Sequence, residues 1–305
     1  MVENNILVRI KSLKKSKNAL ILAHNYQIAE VQDIADFVGD SLDLAMKATK
    51  TNVKNIIFCG VDFMAESAKI LNPDKNVVIP DIEAKCPMAG MVDSESLNLI
   101  IKKHPDADVV TYINTTAEVK AISDICCTSS NGVKIVKSRK AKIIIFVPDK
   151  NLGLYIKRFT PEYEMILWQG VCPTHNKIEK QDILKLKYEH PNSKILVHPE
   201  CKPEVIDIAD QVFSTNGMVN HVKKSKDEEF IIGTEKGICH RLKKENPDKI
   251  FYPVESAVCP NMKKITLKKV LKSLENLEPK IKLSEDIIKK AKLPLQRMID
   301  MGRGD

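Results

Sequence analysis

The chain has 305 residues, 43% of them hydrophobic and 29% charged, and a net charge of +8. That balance describes a globular protein able to bury one large core or two to three small ones, and no apolar run approaches the length of a bilayer span. Met1 to Asn5 shows no basic stretch leading into an apolar one, so no signal peptide is expected; eight cysteines in such a chain imply reduced thiols or a metal site in the cytoplasm, not a disulfide framework.

Taken in order, the chain alternates strand and helix. Residues 3–16 carry Ile6, Leu7, Ile10 and Leu13 at helical spacing. A buried strand is predicted at 19–23, a helix over 27–37, a loop at Asp40-Ser41 and a helix over 42–50. A strand at 56–58, a helix near 63–71 stopping at Asn72-Pro73, and a strand at 77–79 complete the first stretch. A second stretch has helices at 96–103 and 117–122 and strands at 109–113, 143–147 and 165–168. A third has helices at 181–189, 203–209 and 237–244 and strands at 195–198, 230–232 and 250–252. Helices near 267–277 and 285–299 follow. Continuous apolar strands alternating with helices imply an α/β fold of parallel sheets covered on both faces.

Three Cys-Pro dipeptides punctuate this alternation: Cys86-Pro87, Cys172-Pro173 and Cys259-Pro260, 86 and 87 residues apart. Eight cysteines and 15 prolines in 305 residues would make about 0.4 such pairs by chance, so the spacing indicates a repeated unit. Other marks keep the register. His104-Pro105-Asp106 recurs as His190-Pro191-Asn192; His24, Tyr112 and His198 end equivalent strands; Tyr26, Asn114 and Glu200 follow two positions later. Asp36, Asp124 and Asp210 each stand five residues before a hydroxyl residue, Ser41, Ser129 or Thr215. A threefold duplication results, with three pseudo-threefold-related α/β/α units: 1–85 plus 260–305, 86–171, and 172–259. The three aspartates read as structural, bonding backbone at the ends of short helices.

Ligands of parallel sheets bind at the C-terminal strand ends, where these polar residues lie. One cysteine per unit would converge on the pseudo-threefold axis. None has the C-x₂₋₄-C neighbour of a structural zinc site. Three separated thiolates suit an iron–sulfur cluster whose fourth iron stays open as a Lewis acid. Cys59, Cys126, Cys127, Cys201 and Cys239 fall outside the register and are not expected to be ligands. Taken singly, each polar residue reads equally well as a turn or cap. Two rival functions stay open: an iron–sulfur hydro-lyase acting on a dicarboxylate, and a basic nucleic-acid-binding protein with structural zinc. Lysine pairs such as Lys263-Lys264 and Lys289-Lys290 fall in solvent-facing helical stretches, which disfavours nucleic acid.

The stretches His24-Asn25-Tyr26, Val31 to Ser41, Trp168 to Cys172, Val197 to Cys201 and Gly233 to Gly237 resemble quinolinate synthases, and the resemblance covers essentially the whole chain. It implies an oxygen-sensitive [4Fe-4S] enzyme of NAD biosynthesis that condenses iminoaspartate with dihydroxyacetone phosphate to quinolinate, phosphate and water. It further implies a functional link to an L-aspartate oxidase or aspartate dehydrogenase, with no nucleic-acid or membrane partner. Cys86, Cys172 and Cys259 would hold the cluster. His24, Ser41, Tyr112, Asn114, Ser129, His198, Glu200 and Thr215 would bind substrate, with Tyr26, Tyr112, His198 and Glu200 in catalysis. Lys236 is weighed as a phosphate partner against a plain surface lysine, and His175 as a neighbour of the cluster. Asn25 stands where relatives often carry a second aromatic, read here as a tolerated change because Tyr26 remains. Some relatives have a C-x-x-C redox pair; this chain has none, so no disulfide switch is expected.

Overall fold

The computed structural model describes residues 2–305; Met1, where the first predicted unit starts, lies outside them. Among the described residues twelve strands form three separate four-stranded sheets, every pairing within them parallel. The first holds β1 (Ala19–His24), β2 (Phe37–Gly39), β3 (Asn55–Cys59) and β4 (Asn76–Val78) in the order β2-β1-β3-β4. The second holds β5 (Asp108–Tyr112), β6 (Ile125–Cys127), β7 (Ile143–Val147) and β8 (Glu164–Leu167) in the order β6-β5-β7-β8. The third holds β9 (Lys194–Val197), β10 (Gln211–Val212), β11 (Glu229–Gly233) and β12 (Ile250–Pro253) in the order β10-β9-β11-β12. With helices flanking each sheet, the molecule is the α/β repeat that the spacing implied.

In each sheet the chain steps one way from its first strand and then crosses to the other side, so the first strand's C-terminal end lies at a topological switch point. His24 and Tyr112 close β1 and β5, and His198 follows β9 directly. One device fixes all three strands. Asp36 accepts from the Ile21 amide at 2.8 Å, Asp124 from Val109 at 2.7 Å and Asp210 from Ile195 at 2.8 Å. The amide of each aspartate returns a bond to the carbonyl of the same partner. These aspartates are the structural residues their position suggested.

The edge strands β2, β6 and β10 were not legible in sequence, because two or three residues show no alternation. The predicted helix over 27–37 is Ala29–Ile34, followed by β2; the predicted helix over 203–209 is Pro203–Ile206. Helices Gly132–Lys137, Lys150–Lys157, Pro173–Asn176 and Thr215–Lys224 add to the predicted set. Ser41 and Thr215 are not loop residues. Each is the first residue of a helix, capped by the preceding side chain: Asp40 accepts from Asp43 N–H, and Ser214 from Gly217 N–H. The sequence signal was present, since Asp and Ser are strong N-caps.

One continuous apolar cluster runs through all three units, from Ile21 and Phe58 through Val110 and Phe146 to Leu196 and Phe230. Helix Leu267–Asn276 packs on helix Val2–Ser16, and helix Glu285–Met301 lies against both Asp62–Leu71 and Ala117–Ala121, tying the first sheet's layer to the second's. No helix of the described residues is long and apolar enough to cross a membrane.

Candidate active site

The three Cys-Pro cysteines reach one cavity of about 150 Å³. Each is presented in the same way. The amide of Cys86 donates to Asp62 Oδ1 at 3.0 Å, that of Cys172 to Asp149 Oδ2 at 3.0 Å, and that of Cys259 to Glu235 Oε1 at 3.2 Å. These carboxylates stand at the heads of the helices after β3, β7 and β11, and precede their cysteines by 24, 23 and 24 residues. Sequence reasoning missed them, although the spacing was there to be read. Cys59, Cys126, Cys127, Cys201 and Cys239 do not line the cavity.

Every other residue predicted for the site lines the same cavity. His24, Tyr26 and Ser41 come from the first unit, Tyr112, Asn114 and Ser129 from the second, and His198, Glu200 and Thr215 from the third. Asn114 Oδ1 is buried without a partner, a free acceptor in the wall. Lys236 is elsewhere: its ammonium pairs with Glu255 at 2.9 Å on the surface, so it is a plain surface lysine, while Lys177 joins the lining.

Hydrogen bonds assign the histidine tautomers. His24 Nδ1 accepts from the Tyr26 amide at 3.2 Å, and His198 Nδ1 from the Glu200 amide at 3.3 Å. Both rings therefore carry their proton on Nε2, and that of His198 donates to Ser129 Oγ at 3.2 Å. Burial lowers His24 to about 4, against the opposing pull of Asp40, and lowers His198 to about 3 with His175 adding to it. At neutral pH both are uncharged donors.

His175 sits at the centre, 2% exposed. Its Nδ1 lies 2.6 Å from Glu200 Oε2 and 3.2 Å from Cys172 Sγ, and its Nε2 lies 2.8 Å from Thr234 Oγ1. Nδ1–H donates to the nearer partner, the Glu200 carboxylate. Nε2 then accepts from Thr234, whose oxygen accepts from Tyr26 OH at 2.5 Å. Tyr112 OH donates to the other Glu200 oxygen, also at 2.5 Å. A connected chain thus runs from Tyr26 through Thr234 and His175 to Glu200 and on to Tyr112. Burial pushes the Glu200 carboxyl up, but the charges of the His175 and His198 imidazoles once acid protonates them, with the hydrogen bonds from His175 and Tyr112, outweigh it and hold Glu200 down at about 2. Burial, with the Glu200 charge added, raises both phenols, so they stay protonated.

Asn25 is more than a tolerated change. It is fully buried, donates to Thr215 Oγ1 at 3.0 Å and accepts from Arg241 at 2.8 Å, so it orients a third-unit hydroxyl from the first unit.

The thiols themselves test whether a cationic cofactor fits. Burial raises Cys86 to about 12, with Asp62 and the neighbouring Cys259 adding. Burial raises Cys172 well above the usual thiol range, with Glu200 and Cys86 adding, and raises Cys259 as well. Three half-buried thiols with raised values, two of them raised further by a neighbouring thiol, ionise only against a strong local positive charge, which metal ions supply. Donor atoms of Cys172, His175 and Glu200 also lie within 4.8 Å of one another, a group able to hold a metal.

The fold and this cavity define a class: a three-unit parallel α/β enzyme whose buried centre, at the meeting of the units, carries a Cys/His/Glu group fit for a metal. The family model described as "NadA: Quinolinate synthetase A protein" matches residues 8–300. Similar proteins include quinolinate synthases of Thermodesulfovibrio yellowstonii (54% identity, 98% of this chain and 99% of the relative), Caldicellulosiruptor bescii (53%, 96% and 97%) and Methanosarcina barkeri (50%, 98% and 98%). The chain belongs to the quinolinate synthetase A family.

Proposed function

We propose that this enzyme makes quinolinate for NAD biosynthesis by condensing iminoaspartate with dihydroxyacetone phosphate, using a [4Fe-4S] cluster held by Cys86, Cys172 and Cys259. The reading rests on one observation above all: three equivalent cysteines, held by three equivalent carboxylates, open on one cavity that also presents the neutral imidazoles His24 and His198 and the hydroxyls Ser41, Ser129 and Thr215. When bound, the cluster supplies a Lewis-acid position with no protein ligand. Everything else falls to side chains. His24, Ser41, Asn114, Ser129, His198 and Thr215 offer hydroxyl, amide and imidazole groups to substrate carboxylates and phosphate. Glu200, ionised and buried, accepts a proton from the condensing carbon acid. Tyr26 and Tyr112, bonded into the same network, return protons to departing hydroxyl groups. His175 holds Glu200 in place and links it to Thr234.

We assign three units, with boundaries at 85/86, 171/172 and 259/260 and with 260–305 completing the first. The thiols are unpaired, which suits a reducing cytoplasm, and an L-aspartate oxidase or aspartate dehydrogenase would supply the imine. Iron and acid-labile sulfide analysis of anaerobically purified protein, with an assay run with and without the triose phosphate, tests the reading. Iron with sulfide, and quinolinate formed only with both substrates, is expected. Zinc without sulfide, or dicarboxylate dehydration without the triose phosphate, would overturn it.

A further inference from the structure

The segment after the last helix, Gly302–Asp305, has no part in the chemistry above. It nevertheless bonds to all three units, and in each unit a bond falls beside one of the cavity residues Ser41, Ser129 and Thr215. In the first unit, Arg303 Nη1 donates to Asp40 Oδ2 at 2.8 Å and to Asp43 Oδ1 at 3.3 Å. Asp40 precedes Ser41 and caps its helix. In the third, Arg303 Nη2 donates to Ser214 Oγ at 2.7 Å, and the Ser214 amide donates to Asp305 Oδ2 at 3.0 Å. Ser214 precedes Thr215 and caps its helix. In the second, the Gly304 amide donates to the Ser130 carbonyl at 2.9 Å, directly after Ser129.

Charge makes the arrangement more than a brace. Asp40 is itself part of the cavity wall. Burial, with the Asp40 charge added, pushes its neighbour Asp43 up to about 6. Two carboxyl groups beside an anion site would repel the ligand unless a cation cancels them, and the Arg303 guanidinium, 21% exposed, bonds to both.

We propose that Gly302–Asp305 is a clasp that sets Ser41, Ser129 and Thr215 as one anion-binding group, and that Arg303, by neutralising Asp40 in the cavity wall, lets that group take a phosphorylated substrate. This rests on the reading that the three hydroxyls bind substrate oxygens. Arg303 touches no substrate; it is a positioning residue acting through Asp40 and Ser214.

Three substitutions release the clasp at three different points. Arg303→Ala removes the ion pair. A Cβ at Gly304 would lie 2.9 Å from the Ser130 carbonyl oxygen, so Gly304→Ala cannot close on the second unit. A Cβ at Gly217 would lie 2.5 Å from Asp305 Oδ2 and 3.1 Å from Phe213 Cβ, so Gly217→Ala pushes the Asp305 carboxylate off the Ser214 amide while giving its own helix a better helix former. The test uses the holoenzyme, with KM, kcat, iron content and calorimetric binding of inorganic phosphate measured for each variant. Expected is a rise of roughly tenfold in KM for the triose phosphate and in the phosphate Kd, worth about 1.4 kcal/mol. Iron content and kcat should stay near the parent's, with part of the loss restored in Arg303→Lys. Arg158→Ala, which breaks an exposed ion pair with Asp207, should change neither constant. If Arg303→Ala does not fold, Gly217→Ala and Gly304→Ala decide the matter. Variants with parental iron, KM and phosphate affinity overturn the proposal while leaving the enzyme's function standing. Phosphate binding needs no turnover, so equal binding by parent and variants overturns the clasp even where the reaction itself has been misassigned.

Discussion

The loops after β1 and β9 are the same structure carrying different chemistry. In both, a histidine at the strand end accepts through Nδ1 from the amide two residues on, at 3.2 Å in His24 and 3.3 Å in His198. In both, the ring keeps its Nε2 proton for the cavity. The residue that donates that amide has diverged. In the first loop it is Tyr26, a protonated phenol at one end of the relay; in the third it is Glu200, an anion within it. Repetition preserved what the backbone needs and freed what the reaction needs. The second loop extends the lesson, with Tyr112 where the histidines stand and Asn114, an unpartnered acceptor, where Tyr26 and Glu200 stand.

If the symmetric frame carries the metal and the diverged positions carry the proton traffic, the largest effects come from the frame's cysteines. Cys86→Ser, Cys172→Ser and Cys259→Ser should each lose iron and all measurable activity. Cys59, Cys126, Cys127, Cys201 and Cys239, each changed to Ser, should keep iron while losing about 1–3 kcal/mol of stability where the new hydroxyl is buried. Iron lost from a folded Cys126 or Cys127 variant would break the symmetric assignment. Next comes the diverged position: Glu200→Gln should lower kcat by roughly 10²–10⁴-fold, with a dicarboxylate analogue still bound, seen in single-turnover and spectral titrations. Its counterpart, Tyr26→Phe, removes a proton donor at the end of the relay and should lower kcat by roughly 10²-fold, the low end for a general acid.

Acid should separate the two histidine-bearing loops from the rest of the molecule. With folded values near 4 and 3, His24 and His198 stay neutral while their unfolded counterparts protonate below about 6.5. The unfolded state then binds more protons, so stability falls as pH drops from 6.5 towards 4, each histidine contributing up to about 1.4 kcal/mol per pH unit. Glu200, held low, adds to the loss below its unfolded value, and Asp43, raised to about 6, offsets part of it. A denaturation midpoint flat between pH 7 and 4.5 would refute the buried neutral imidazoles. The smallest effects belong to the repeated aspartates. Asp36→Ala, Asp124→Ala and Asp210→Ala should each cost about 1 kcal/mol in chemical denaturation, alike in the three units, with turnover per folded molecule unchanged. Unequal costs would mark where the repeat has ceased to be equivalent.

The sequence by itself determined the threefold register, the α/β class, the cysteines that converge and the polar positions that line the cavity. It could do so because each of these leaves a local or periodic trace: an apolar run, a Cys-Pro pair, an aspartate five residues before a hydroxyl. Edge strands of two or three residues leave no such trace, and the backbone of their neighbours alone defined them. Only the tertiary structure decided the relay. Tyr26 and Thr234 are 208 residues apart and Thr234 and His175 are 59 apart, in partnerships that no spacing repeats. It likewise turned Asn25 from a neutral substitution into the partner of Thr215, and left Lys236 outside on an ion pair. Periodicity records how a strand or helix meets its own layer. Hydrogen bonds between side chains of different units form only where three folded surfaces meet, and their cost or gain depends on a burial that no single stretch of chain creates.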